Sequence, residues 1–565
     1  MTDQSSRLQA LRNAAQIHFQ RGEFQAAERY IAEALGLAPD SADLWNNRGT
    51  AQAAAKQLDA ALTSFTRAVQ LQPDFPRAIA NRANALVQLQ RPSEAIDAFE
   101  QLLRLEPDFP YALGHLIFCK LQCGSWTGLD ALCGRLYAGL QAGKPAVTPA
   151  LATALLGRPS DQLRALQIVA RDKFRGAPPI WRGERYRHGK IRVAYVSSDL
   201  HAHATAVLMA GVFEKHDPER FETTAISLGP DDASPMRARL KHSFHPFIDA
   251  GSSSDAQIAT LMRQMEIDIA VDLKGYTSHA RPGIFAFRPA PVQVNYLGFP
   301  ATMGAEFIDY IVADRFTIPE TDKPCFTEKV VRLPDSYQPN DRTRVMAGKV
   351  PSRADMGLPE TGFVYCCFNN SFKIQPRVFD VWMRLLHGIE GSVLWLLADN
   401  PSAVANLKRE AASRGVDPDR LVFAPRAGLD EHLTRHRLAD LFLDTLPYNA
   451  HTTASDSLWT GLPVLTCMGG TFAGRVAASV LNAAGLPELV TSTLEEYEAL
   501  ALSLAREPAR LAAMRARLDE NRDTCPLFDV ARFTRNLETA YTMMWERAER
   551  GERPAAFDVP PSGPF

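Results

Sequence analysis

Pro39, Pro73 and Pro107 recur at intervals of 34 residues, each followed by Asp. Other positions keep the same frame: Ala27, Ala61 and Ala95 stand twelve residues before these prolines, and Ile31, Phe65 and Phe99 stand eight before them. A small and a large apolar residue at fixed offsets are what two packed helices need where a knob enters a gap. A fixed period of this length constrains the chain to stacked helix pairs, because one pair cannot bury its apolar face alone.

Period and frame together are the tetratricopeptide signature, with clear copies at about 8–41, 42–75 and 76–109. The second copy is the fullest, carrying Trp45, Gly49, Ala61, Phe65, Ala68 and Pro73 at the consensus positions; Ala15 and Ala83 replace Gly49 in its neighbours. Such arrays leave a concave groove that holds extended peptide, and the same surface also serves as a dimerisation or spacer face.

A chain of 565 residues with 46% hydrophobic and 22% charged side chains is an ordinary globular composition. Its 62 basic and 64 acidic residues give a net charge of −2, so no global field favours nucleic acid or an anionic membrane. The eight cysteines form no CxxC pair, which argues against a zinc site and against a disulfide framework. The polar start MTDQSSRLQALRN flows into the first repeat helix and no apolar run reaches membrane-spanning length. The protein is read as cytoplasmic.

Repeats are expected over 1–125 and divergent capping helices with a linker over 126–185. Alternating strands and helices follow, IRVAYVSSD, TTAISL and IDIAVDL over 186–345, then FVYCCFNN, SVLWLLAD, RLVFAP, DLFLDTL and PVLTC over 346–552. This alternation predicts two doubly wound α/β domains facing a cleft; residues 553–565 read as a flexible tail. Neither domain carries GxGxxG or GxxxxGK[ST], which leaves dehydrogenases and P-loop nucleotidases unsupported.

Three loops carry candidate chemistry. In PYNAHTTASDSLW, His451, Thr452 and Thr453 open a helix whose N-terminus suits an anion, and Asp456 lies one turn in, where it could accept from ribose hydroxyls; an ordinary Thr cap fits the same residues. In FNNSFKIQP, at a strand end, Lys373 and Asn370 could meet a diphosphate, although a lone loop Lys is more often merely solvated. In SSDLHAHATA, His201 and His203 offer a general base or a positioning group, or no role at all. Asp272, ending IDIAVDL, is a further carboxylate expected at the cleft. Asp417-Pro418-Asp419 reads as a turn rather than a metal motif, and His432 and His436 lack the Glu of HExxH.

In order along the chain, GYT…AR, RPAPVQVNYLGFPATMGA, FNNSFKI, HTTASDSLW and GRVAAS behind tetratricopeptide repeats resemble the O-linked N-acetylglucosamine (O-GlcNAc) transferases of glycosyltransferase family 41, in a bacterial form. The resemblance covers nearly the whole chain. It implies a GT-B core of two Rossmann-like domains, the first on the acceptor side and the second on the nucleotide-sugar side. It also implies inverting, metal-independent transfer of N-acetylglucosamine from UDP-GlcNAc to protein Ser or Thr, with no cofactor. The repeats would guide protein or peptide acceptors, and neither nucleic acid nor membrane is expected as a partner.

Carried over by motif, Lys373 would steady the departing diphosphate, Thr452 and Thr453 the phosphates, and Asp456 the ribose. Ala427, His432 and Arg435 would form the uracil site, and His203 matches the family's active-site histidine. Asn370, Phe372 and Leu429 stand where animal members have Gln, Tyr and Lys, and the long insertion between the catalytic halves of animal members is absent. Plant relatives using a guanosine donor to transfer fucose share the FNN. A protein O-fucosyltransferase and a catalytically weak nucleotide-sugar-binding scaffold are therefore the alternatives.

Overall fold

A computed structural model of the protein describes residues 2–174 and 176–561. It divides into two compact units, residues 1–148 and 149–565.

In the first unit the pairs Thr2–Gln20 with Phe24–Leu37, Ala42–Ala54 with Leu58–Leu71, and Pro76–Gln88 with Pro92–Leu105 realise the three sequence repeats. Ala27, Ala61 and Ala95 are fully buried, and Ile31, Phe65 and Phe99 nearly so. A Cβ on Gly49 would stand 2.6 Å from the Phe65 ring, so the glycine of the second copy is the gap its knob fills. The recurring prolines sit in the turns after each pair, where the Pro39 and Pro73 carbonyls accept from Trp45 Nε1 at 2.8 Å and Gln101 Nε2 at 3.0 Å. A fourth, divergent pair, Ala112–Gln122 and Leu129–Gln141, continues this unit.

The stretch expected as one capping segment is thus divided, because Pro149–Leu155 and Pro159–Lys173 belong to the second unit. Gly304, at φ +63°, shows why: a Cβ there would lie 2.4 Å from the backbone of Leu166. The helix therefore packs backbone to backbone on the α/β core.

That core holds two parallel sheets. The first contains β1 (Ile191–Ser197), β2 (Phe221–Ser227), β3 (Phe247–Asp249), β4 (Ile269–Asp272), β5 (Val292–Asn295), β6 (Tyr310–Asp314) and β7 (Lys329–Leu333). The second contains β8 (Val364–Cys367), β9 (Val393–Leu397), β10 (Leu421–Ala424), β11 (Leu441–Leu443), β12 (Val464–Cys467) and β13 (Val490–Thr491). Most of these strands are buried along their whole length, as expected of parallel strands covered by helices on both faces.

The first sheet runs β7-β6-β5-β4-β1-β2-β3 and the second β10-β9-β8-β11-β12-β13. Strand order therefore reverses between β1 and β4 in one and between β8 and β11 in the other. Ligands of open α/β sheets bind outside the carboxyl ends of strands at such reversals. All three candidate loops leave strands at these two points.

Two segments depart from expectation. The long C-terminal helix, Val530–Glu549, packs on the first sheet, with Glu538 accepting from His216 Nδ1 at 3.0 Å and the Asp217 amide at 2.7 Å. The tail read as flexible from residue 553 adds β14 (Phe557–Asp558) beside β7, held by the Arg332–Asp558 ion pair at 2.6 Å. Its last four residues, 562–565, lie outside the described residues.

Candidate active site

A cavity of about 410 Å³ opens where the two reversals meet within the second unit. Asp199, His203 and Lys274 line it from the loops after β1 and β4; Asn369, Asn370 and Lys373 from the loop after β8; and Tyr448, His451, Thr452 and Thr453 from the loop after β11. Loops carrying SSDLHAHATA, GYT, FNNSFK and HTT, far apart in sequence, thus share one chamber.

Lys373 ends a short 3₁₀ turn, and its Nζ donates to the Asn449 carbonyl at 2.9 Å, 4.0 Å from the centre of the Tyr448 ring. Burial pulls the ammonium below the ordinary lysine range, opposed by the charge of Asp444. Asp444, at the end of β11, is pushed up by burial and organises the loop beyond it. It accepts from the Thr445 and Ala450 amides at 2.7 and 2.5 Å and from Thr466 Oγ1 at 2.6 Å.

The helix Thr452–Trp459 begins at His451 with no side-chain cap. Its first N–H groups have no partner inside the helix, which leaves a partial positive charge where the cavity begins. The alternative of an ordinary Thr cap is not what the structure shows. His451 donates from Nε2 to the Ala473 carbonyl at 3.0 Å, and burial lowers its pKa, so the ring is neutral.

The sequence pattern points to Asn370 and not to Asn369. It is Asn369 that ties the two loops, donating to Thr445 Oγ1 at 2.8 Å and accepting from Thr453 Oγ1 at 2.6 Å. Asn370 lines the cavity while accepting from Arg426 at 3.2 Å. Lys274 and Asp199 were also missed; they form a buried pair at 2.7 Å beside His203. A charged residue just past the carboxyl end of a buried strand is the signal that could have found both.

His203 caps the helix Ala204–Lys215, its Nδ1 accepting from the Thr205 amide at 3.2 Å. A ring nitrogen that accepts an N–H carries no proton, so the neutral ring has its proton on Nε2. Burial, first among the causes, lowers its pKa.

Five expected residues lie off the cavity lining. Asp272 is the clearest correction: its carboxylate turns back to accept from the Lys274 and Gly275 amides at 2.8 and 3.0 Å, so it shapes the turn after β4 instead of facing the cleft. Asp456 is buried against Arg344 at 2.5 Å. His432 and Arg435 gather around the cavity-lining Phe368, with Arg435 donating to His432 Nδ1 at 2.6 Å and stacking 4.5 Å from the Phe368 ring centre. Ala427 is exposed in the loop beside them. Asp417 caps a turn, accepting from the Asp419 amide at 3.0 Å, as its turn reading required.

The first glycine of LGFPATMGA has a steric reason. A Cβ on Gly298, which lines the cavity, would lie 2.0 Å from the Leu273 carbonyl oxygen.

Two parallel sheets of this order, with loops from both switch points around one cleft, define the GT-B architecture of glycosyltransferases. The model of glycosyl transferase family 41 matches residues 165–348 and 345–537, and tetratricopeptide models match 12–76 and 52–116. The chain belongs to glycosyl transferase family 41.

It is 39% identical over 376 residues to an Arabidopsis thaliana protein described as a probable UDP-N-acetylglucosamine–peptide N-acetylglucosaminyltransferase SEC, covering 66% of this chain and 38% of that protein. A Caenorhabditis elegans UDP-N-acetylglucosamine–peptide N-acetylglucosaminyltransferase is 30% identical over 491 residues, covering 66% and 43%. The chain thus spans less than half the length of these curated relatives. A solved Thermobaculum terrenum O-GlcNAc transferase mutant superposes with a TM-score of 0.71 at 29% identity, covering 98% of this chain and 99% of that one.

Proposed function

We propose that the chain transfers N-acetylglucosamine from UDP-GlcNAc to Ser or Thr hydroxyls of proteins, with inversion and without a metal. The observation that carries this reading is Lys373 fixed beside an uncapped helix start, with His203 on the other wall of the same cavity. A cation and free amides suit a diphosphate, and the relatives' names supply the sugar and the acceptor class.

In this reading Thr452 and Thr453 hold the phosphates, Asn370 lies beside them, and His451 buttresses the helix start. Asp456, one oxygen on Arg344, offers the other to the ribose, while Ala427, His432 and Arg435 hold the uracil. The acceptor oxygen bonds to the anomeric carbon as the carbon–phosphate-oxygen bond breaks. Lys373 stabilises the charge that develops on the diphosphate. The acceptor proton passes to a donor phosphate oxygen, since the protonated Nε2 of His203 donates and does not take it.

The repeat unit is read as the binder of acceptor peptide. A cavity of about 110 Å³ there is lined by Arg12, Phe19 and Asn47 among others, and Asn13 and Asn81 stand 34 residues either side of Asn47.

Incubation of the purified chain with each nucleotide sugar and a proteome extract, followed by mass spectrometry, tests the reading. Transfer of N-acetylhexosamine to Ser or Thr from UDP-GlcNAc is expected; transfer only from GDP-fucose, or binding without turnover, would replace it with one of the alternatives.

A further inference from the structure

On the acceptor wall of the cavity an ion pair stands beside a histidine. Lys274 donates from Nζ to both oxygens of Asp199, at 2.8 and 2.7 Å. Both residues are buried and both line the cavity with His203. Asp199 Oδ2 lies 3.4 Å from His203 Nδ1, the atom that accepts from the Thr205 amide, and Thr205 Oγ1 donates to the same oxygen at 3.3 Å.

Two partners thus compete for one ring nitrogen. A free carboxylate at that distance would draw a proton onto Nδ1, turning it from acceptor to donor and ending the cap on Thr205. A carboxylate already bidentate to an ammonium has little pull left.

Resting on the functional reading above, we infer that Lys274 is a positioning residue: by occupying Asp199 it holds His203 as an Nδ1 acceptor and so presents Nε2–H to the cavity. That N–H is then a donor to an oxygen of the bound substrates, the acceptor hydroxyl or the sugar. The charges around the ring agree. Burial lowers the His203 pKa, Asp199 raises it, and Lys274 and His201 lower it. His201, 5.8 Å away between ring centres, faces Asp232 at 3.6 Å, and across the cavity stand Lys373, Tyr448 and His451.

The test is the ring titration of His203 in the full chain, followed by NMR with ¹³Cε1-labelled histidine and assigned by loss of the signal in His203→Gln. Lys274→Met is expected to raise the His203 pKa by on the order of one unit or more, the shift an unopposed carboxylate causes. Lys274→Arg should keep the wild-type titration, and Lys274→Met with Asp199→Asn should bring it back down.

A folded Lys274→Met chain with an unmoved His203 titration, or a double variant that stays raised, overturns the inference. Should Lys274→Met not fold, Asp199→Asn alone decides: it leaves the Lys274 ammonium uncompensated beside the ring, so the His203 pKa must fall below the wild-type value, and no fall overturns the inference. A wild-type chain that transfers no sugar would sink the functional reading but leave the titration result standing.

Discussion

Lys373 Nζ donates to the carbonyl oxygen of Asn449 at 2.9 Å, so a side chain from the loop after β8 is fixed by the backbone of the loop after β11. The two strands are neighbours at the reversal of the second sheet. Asn449 is itself held, its amide donating to the Ala473 carbonyl at 2.9 Å and its Nδ2 to the Thr445 carbonyl at 2.7 Å. The ammonium is therefore preorganised before any anion arrives, which is what electrostatic stabilisation of a transition state requires.

Lys373→Ala should consequently lower the transfer rate by about 10²–10³-fold, the usual loss for one such donor, while donor binding stays measurable by calorimetry. Lys373→Arg should not restore the rate, because a planar fork does not replace a compact ammonium. A Lys373→Ala chain with wild-type turnover would remove this residue from the mechanism.

The same burial sets a pH dependence. The folded-state pKa of Lys373 lies below the ordinary value of about 10.4. If the protonated form stabilises the diphosphate, transfer falls as pH rises through this lowered pKa, well before an ordinary lysine would titrate. For stability the sign is opposite to that of a lysine gaining a partner. Between the lowered folded pKa and the unfolded one, the unfolded chain binds more protons, so this group's contribution to stability rises with pH there. A rate–pH profile at saturating donor, compared with urea midpoints over the same range, checks both limbs.

Gly298→Ala places a methyl 2.0 Å from the Leu273 carbonyl oxygen, a backbone atom that moves only with the strand behind it. The expected cost is about 1–3 kcal/mol, typical of overpacking. Gly348→Ala, with nothing within 4 Å of the added carbon, should change the urea midpoint hardly at all. Equal midpoints for the two variants would show that the LGFP loop yields freely.

What was legible in the sequence followed from local repetition. The 34-residue period is visible because Ala27, Ala61 and Ala95 make equivalent contacts in each copy, and FNNSFK and HTT are visible because each follows an apolar strand. What escaped depends on partners brought together by the fold. Asn369 and Asn370 are chemically identical neighbours, and only the strand exit decides which reaches Thr453 and which meets Arg426. Asp272 ends its strand at the cleft edge, yet its carboxylate is claimed by amides two and three residues on. Lys274 finds Asp199 75 residues away, a pairing no local pattern announces. The Pro-rich tail reads as frayed until Arg332 and the edge of β7 are there to receive it.

Arg344 is the strongest case of a distant partner. It comes from the polar segment between the two sheets, is almost completely buried, and pairs with Asp456 on the helix that opens at His451. It also donates from Nε to the Asp341 carbonyl at 3.1 Å. Removing one member of a buried pair leaves the other charge without compensation and costs about 3–5 kcal/mol, whereas replacing both is often nearly neutral. Arg344→Met should therefore destabilise the chain by about that amount, and Arg344→Met with Asp456→Asn by distinctly less. Because Asp456 sits one turn inside the helix whose start faces the cavity, the single variant should also weaken donor binding. Denaturant unfolding of the two single variants and the double one gives the coupling energy directly. A double variant whose loss equals the sum of the singles would mean that Arg344 stabilises the linker alone, and that the HTT helix is held in place by its own packing.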